Sequence, residues 1–319
     1  MTAPAYNLGA SGLADNVLEE LWFGDDDPQR DVRAASESMA AATAKATGLK
    51  PFPAVAQHVL GLLSDPQVNV KLLNEALEKD PILASQLLRL ANSALFRPAV
   101  PYASLEAAIV RLGTQTVQEL VASVAMMSLF EDAQKPAEAI RDHGAAVAAI
   151  GRILAQSVRY RGVGTVFLTG LMHDVGKLMI HQVGELDYTA FVEELTEPDR
   201  MHLIEREHLG YDHAVLGAHV LDAWHLPPAL CRAVAWHHQP GRAYDEGTED
   251  DQMVVSIVRL ADHIEYQLRK DREADRDFLE HLALSGDNAS TDFSADVLEA
   301  MWPKLVENVD ELLSVLVAG

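Results

Sequence analysis

The chain of 319 residues has a single cysteine, Cys231. One thiol excludes an internal disulfide framework and fits a reducing, cytoplasmic setting; its expected role is that of a small buried hydrophobe. Positive charge is scarce: 25 Lys and Arg stand against 48 Asp and Glu, a formal charge of −23. Such a surface repels phosphate backbones and anionic lipid, which argues against nucleic-acid and membrane partners. No run of about 18 apolar residues suggests a membrane span. The opening "MTAPAYNLGASGLADNVLEE" lacks the basic start and apolar run of a secretory signal. Strand-like alternation is missing too.

What the chain does have is apolar content, 49% of its residues, enough for a sizeable core. Its pattern is helix after helix. "FPAVAQHVLGLLSD", "VKLLNEALEKD" and "PILASQLLRLANSALF" carry leucines at three- and four-residue spacing. Asp80-Pro81 reads as a helix start, and Ser104 and Gly113 bracket "SLEAAIVRLG". Residues 114–132 and 136–160 read as long helices, and 274–284 and 295–317 as two weaker ones. The fold class is all-α. The acidic runs at 23–31, 244–251 and 271–277 read as solvated loops or helix ends. "RDVRAASESMAAATAKATGL" is helical in pattern but offers little to bury, and Trp22 and Phe23 suggest that the N-terminus docks.

One stretch, "FLTGLMHDVGKLMI" (167–180), is unusual. It reads as a single buried helix, yet it holds His173, Asp174 and Lys177. On a wheel of about 100° per residue these fall opposite the apolar stripe, with Gly170 among them.

Histidine is plentiful: 13 in all, ten of them between 143 and 238. Imidazole and carboxylate are the usual ligands of hydrolytic metal sites. The candidates are His143, His173, Asp174, His213, His237, His238 and Asp262, each on a stretch of apolar or small neighbours. A buried carboxylate such as Asp174 is costly unless paired or metal-bound. His58, His181, His202, His225, His263 and His281 read as ordinary surface or core residues, and His208 and His219 match no partner.

The order of these residues resembles a known family. "GLMHDVGK" is similar to the signature of the HD superfamily of metal-dependent phosphohydrolases. "KPFPAV", "LEKDPILASQLLRLANSALF", "SLEAAIVRLGTQTVQELV" and "EREHLGYDHAVLGAHVLDAWHLP…AWHHQP" resemble its HDOD branch, the HD-related output domain. The resemblance covers about 48–270. It implies a helical bundle, with an N-terminal HDOD subdomain (48–134) packed on an HD-like one (135–270). Residues 1–47 and 271–319 lie outside it as flanking helices.

The resemblance also implies a ligand set for one or two divalent ions: iron, manganese or zinc. His143, His173, Asp174 and Asp262 would hold a first ion. His213 and either His237 or His238 would hold a second, with Asp174 bridging and Lys177 facing an anion. The alternative is a vestigial site whose His and Asp bond each other. HDOD proteins are regulatory, so the first expectation is a bacterial signalling protein acting on a protein partner. The second is a phosphohydrolase acting on a nucleotide or other phosphate ester, with Arg152, Arg159, Arg161 and Arg206 as candidates for a basic mouth. "HHQPGRAYDEG" departs from the Gly-Tyr-Pro stretch of the cyclic di-GMP-degrading branch, so that substrate is not expected.

Overall fold

The computed structural model describes residues 32–49, 52–63, 68–92, 100–129, 135–184 and 201–317. Among them are fifteen α-helices and no strand. The first five are α1 (Val32–Leu49), α2 (Ala54–Leu63), α3 (Val70–Leu77), α4 (Pro81–Ala91) and α5 (Leu105–Leu129). The next five are α6 (Lys135–Ser157), α7 (Val163–Met172), α8 (Val175–Val183), α9 (Met201–Leu209) and α10 (His213–Ala223). The last five are α11 (Pro228–Trp236), α12 (Pro240–Asp245), α13 (Glu249–Lys270), α14 (Arg276–Leu284) and α15 (Ala295–Val317). Trp22 and Phe23 lie outside the described residues.

The local signals work as physical chemistry requires. Asp80 Oδ1 accepts from the amides of Ile82 and Leu83 at the start of α4, and Pro81 occupies its first turn. Ser104 Oγ accepts from Ala107 N at the start of α5. Gly113, at φ 80°, breaks α5 into two helical segments. In the acidic run 244–251, Thr248 and Asp251 form a reciprocal capping box that starts α13.

Helices α2, α3 and α4 pack on α5, and α5 packs in turn on α7. Leu87 and Leu90 of α4 are core. Asn92, at the end of α4, bonds both the N–H and the carbonyl of Tyr102. The centre of the second half is α7 against α6, with α13 across both. Helix α7 is buried nearly all round, as expected of a helix that is apolar on every side. The apolar stretch 163–183 that contains it is long enough to cross a membrane, but here it is mostly buried inside the fold.

Two features depart from the sequence reading. First, 167–180 is not one helix. It breaks at His173-Asp174, where Asp174 leaves helical geometry (φ −98°, ψ 10°), and α8 starts afresh at Val175. His173 and Asp174, the candidate ligands of that stretch, are both buried. Second, α1 does bury something. Ala42 and Ala46 are inaccessible, α1 lies on α8 and α10, and Lys45 Nζ donates to the Val183 carbonyl at the end of α8 (2.7 Å). The stretch from 201 to 223 forms two helices, interrupted at Gly210 (φ 80°) and restarted by the Asp212 cap.

Candidate metal centre

Two close helix crossings bring the histidines together. At Gly170, an added Cβ would sit 2.9 Å from the Ala148 Cα, so only glycine lets α7 lie this close to α6. That contact sets His143 of α6 opposite His173, with Nε2 to Nε2 at 3.2 Å. At Gly176, an added Cβ would fall 1.9 Å from the His213 carbonyl oxygen. This seats the start of α8 on the start of α10 and puts Asp174 beside His213.

The rings are oriented one by one. His173 Nδ1 donates to the Gly170 carbonyl (2.8 Å) and His237 Nδ1 to the Val234 carbonyl (2.7 Å). A carbonyl only accepts, so the proton sits on Nδ1 in both rings. His143 Nδ1 meets Glu265 Oε2 at 2.7 Å, and His213 Nδ1 meets Glu205 Oε2 at 2.6 Å. With each Nδ1 so used, all four Nε2 atoms turn inward, where a deprotonated Nε2 offers its lone pair. An outer carboxylate or carbonyl that fixes a ligating imidazole is the usual support of a metal site.

The inward nitrogens converge on one carboxylate. Asp174 Oδ2 lies 3.5 Å from His143 Nε2 and 3.6 Å from His173 Nε2. Asp174 Oδ1 lies 3.2 Å from His213 Nε2 and 3.9 Å from His237 Nε2. Asp262 Oδ1 adds a second carboxylate contact to His143 Nε2 at 3.2 Å, and His238 Nε2 stands 2.9 Å from His213 Nε2. Two sets of donors are each compact enough for an ion, with all ligand atoms within 4.8 Å of one another: His143, His173 and Asp174, and Asp174, His213, His237 and His238. A third set, His143, Asp262 and Glu265, shares His143 with the first.

A cation fits these donors. His237 Nε2 is buried without a hydrogen bond, a state that normally costs about 1–3 kcal/mol. Two facing Nε2 lone pairs also repel unless a proton or an ion sits between them.

The electrostatics divide the rings. Burial disfavours charge on His143, but the carboxylates of Asp262 and Glu265 outweigh it and raise its pKa to about 9. Burial is likewise outweighed at His213, where Glu205 and Asp174 raise the pKa to about 9. His173, His237 and His238 are pushed down, by burial first and by neighbouring imidazoles next. Burial also opposes the charge on Asp174, yet Lys177 and the surrounding histidines keep its carboxyl well below the ordinary range.

Lys177 Nζ donates to Asp174 Oδ2 at 2.6 Å, so its charge is aimed at the central carboxylate. Of the arginines considered for a basic mouth, Arg152 pairs with Glu119 and Arg206 with Asp212. His202, read as an ordinary surface or core residue, is buried and stacks on His238 (ring centroids 4.3 Å, planes 11° apart), beside the candidate ligands. Glu205 and Glu265 escaped sequence reading as well. Glu205 lies in "IEREH" and Glu265 in "DHIEY", each one or two turns from a candidate ligand, which was the only signal available.

Comparison with solved structures shows the same fold elsewhere. A Shewanella amazonensis SB2B protein, named provisionally as a phosphohydrolase, superposes with TM-score 0.68 and 24% identity, covering 86% of this chain and 98% of that one. An HDOD domain protein of unknown function from Geobacter sulfurreducens gives 0.65 and 22%, covering 87% and 98%. A Marinobacter aquaeolei VT8 protein, provisionally named for signal transduction, gives 0.62 and 20%, covering 89% and 65%. At these identities the likeness concerns the fold alone. In sequence, an uncharacterized protein of Treponema pallidum (strain Nichols) is 20% identical over 216 residues. That alignment takes in 66% of this chain but only 40% of the relative's length. The model of the HDOD domain matches residues 49–240, well over half of the sequence, and on that match the chain belongs to the HDOD family.

Proposed function

We propose that the chain is a signalling protein built around a divalent metal centre, and that it acts through contacts with a protein partner. One observation carries the metal centre: four imidazoles, each with Nδ1 already hydrogen-bonded, direct Nε2 at the two oxygens of one buried aspartate. In this reading His143, His173, Asp174 and Asp262 hold one ion. Asp174, His213 and His237 or His238 hold a second. Iron, manganese and zinc all accept such nitrogen and oxygen donors. The signalling part is supported by the family and by the name of the Marinobacter relative of the same fold. The N-terminal subdomain, 48–134, is the proposed partner-facing portion, and 135–270 the metal-binding one.

A second reading is hydrolysis of a phosphate ester, the chemistry that a metal ion would supply by activating water and polarising phosphate oxygens. Its support is the rim of the site. The side chains of Asp262 and Lys177 are 32% and 20% exposed, which leaves a route from solvent to the donors. Lys177 would then balance anionic charge next to Asp174.

The deciding experiment is metal analysis of protein purified without chelator, wild type against Asp174→Ala. It is followed by assay of both with bis(p-nitrophenyl) phosphate and added Mn2+. The expected result is one or two equivalents of metal in the wild type, none in the variant, and no turnover by either. Metal-dependent turnover that the variant lacks would replace the signalling reading by the second one. A metal-free wild type that takes up no added ion would sink the metal centre.

A further inference from the structure

Residues beyond the family match reach back to the candidate centre. The turn Gly286–Asn288, between α14 and α15, carries Asp287, which is buried. Its carboxylate takes both arms of the Arg259 guanidinium, Nε to Oδ1 at 2.5 Å and Nη2 to Oδ2 at 3.2 Å. The remaining nitrogen of that guanidinium, Nη1, donates to the main-chain carbonyl of His237. His237 follows the last residue of α11, so its carbonyl belongs to the helix end that lacks intrahelical donors, where a cation is favoured. The same Asp287 carboxylate meets His263 Nε2 at 3.2 Å, and His263 is the residue after Asp262.

The turn that presents Asp287 is itself rigidly tied. Asn288 bonds the carbonyls of Ala283 and Phe293 and accepts from Phe293 N. Ser290 meets Ser256 of α13 at 3.2 Å and Tyr244 of α12 at 3.0 Å. Apolar contacts of Leu279, Leu298 and Trp302 already bury the C-terminal helices. A desolvated carboxylate adds little to such packing, since buried ion pairs are often no more stable than apolar replacements. Their value lies in fixing geometry. Here the geometry fixed is that of two candidate ligands.

We infer that Asp287, supplied by the C-terminal segment, is a positioning residue for the metal centre: through Arg259 it fixes the His237 carbonyl, and through His263 it fixes the stretch of α13 that carries Asp262. The inference rests on the metal-centre reading. It gives residues 271–317 a role in the site, although they lie outside the family match at 49–240.

The test is the dissociation constant of the full chain for Zn2+ and for Mn2+, each measured by competition with a chromophoric chelator. The proteins are wild type, Asp287→Asn, Arg259→Lys and Leu298→Ala. Loss of a group that orients a metal ligand typically weakens binding about 10–100-fold. Asp287→Asn is expected to fall in that range. Arg259→Lys, which keeps the charge but loses the two-armed contact, is expected to follow it. Leu298→Ala removes a fully buried side chain from the same segment; it is expected to lower thermal stability while leaving metal affinity within about threefold of wild type. Should Asp287→Asn not fold, Arg259→Lys gives the answer alone. Wild-type affinity in both clamp variants would overturn the positioning role and leave the metal centre standing. Equal weakening by Leu298→Ala would also overturn it, since general loosening would then explain the loss. Failure of the wild type to bind either ion would remove the metal centre, and the inference with it.

Discussion

The two halves of the molecule bury different things. In residues 52–129 the buried side chains are Leu, Val, Ala, Ile, Met and Phe, and among the described residues the polar exceptions are Glu119 and Ser123. This half also leaves Leu72, Ile82, Val100 and Val110 largely exposed. The half from 135 to 270 buries His173, Asp174, His202, Glu205, Asp212, His213, His237, Asp251 and Glu265, and among its described residues no large apolar side chain is prominently exposed. The first half is an ordinary apolar core with spare apolar surface. The second keeps charge inside, which is stable only where each charge has a partner. Its structure is therefore specified by directional contacts as much as by volume, and its sensitivity to substitution should differ in kind.

The largest difference is expected at the central carboxylate. Asp174→Ala strands Lys177 and two imidazoles, and removing one partner of a buried charged cluster costs about 3–5 kcal/mol. It should also abolish metal uptake. Leu77→Ala in the first half removes a fully buried side chain and should cost a comparable 2–5 kcal/mol, about what such cavities cost, with metal content unchanged. Chemical denaturation and elemental analysis of the two variants would break the comparison if both lost metal alike.

The glycines sharpen it next. Gly176→Ala drives a methyl into the His213 carbonyl and should lose about 1–3 kcal/mol through overpacking, along with metal affinity. Gly61 in α2 has open space around it, so Gly61→Ala should gain about 0.5–1 kcal/mol. Opposite shifts in urea midpoint are the expected reading; shifts of the same sign would count against the tight crossing at Gly176.

Most of the groups that set a pH effect lie in the second half; the first half adds Glu119, whose pKa burial raises to about 7. His143 and His213 have pKa values raised to about 9 from 6.5, so the stability they contribute to the metal-free protein is full below pH 6.5 and lost as pH rises through 9. His173, His202, His237 and His238 have lowered values, so theirs is full above pH 6.5 and lost as pH falls. Chelator-treated protein should show a thermal midpoint that peaks near pH 6.5. Added metal competes with protons for the same nitrogens and should move the optimum upward. An unmoved optimum in the presence of saturating metal would contradict binding at these rings. The smallest effect is expected at Ile82, 71% exposed: Ile82→Ser should change stability by less than about 0.5 kcal/mol and leave metal affinity unaltered.

Much of the fold is legible from short-range signals. Asp80-Pro81, Ser104 and Gly113 mark helix ends because capping and positive φ are properties of a few neighbouring residues. The seven candidate ligands could be named from residue type and order. What escaped reading has a common cause. The pairing of His143 with Glu265 spans 122 positions, and the clamp of Asp287 on Arg259 spans 28. No local periodicity encodes either. The break at His173-Asp174 was missed because the apolar spacing continues unbroken through it, so a wheel projection sees one helix where the chain has two.

The sequence by itself therefore determined the helical class, most helix ends, the acidic surface and the roster of histidines and aspartates. Those follow from composition and from interactions within a turn or two. Only the tertiary structure decided which nitrogen of each ring faces inward, which carboxylate stands at the centre, and that α1 and the C-terminal turn belong to the folded body. These are outcomes of helix crossings set by glycines and alanines, where the closeness of two backbones, not the identity of any one residue, fixes what meets inside.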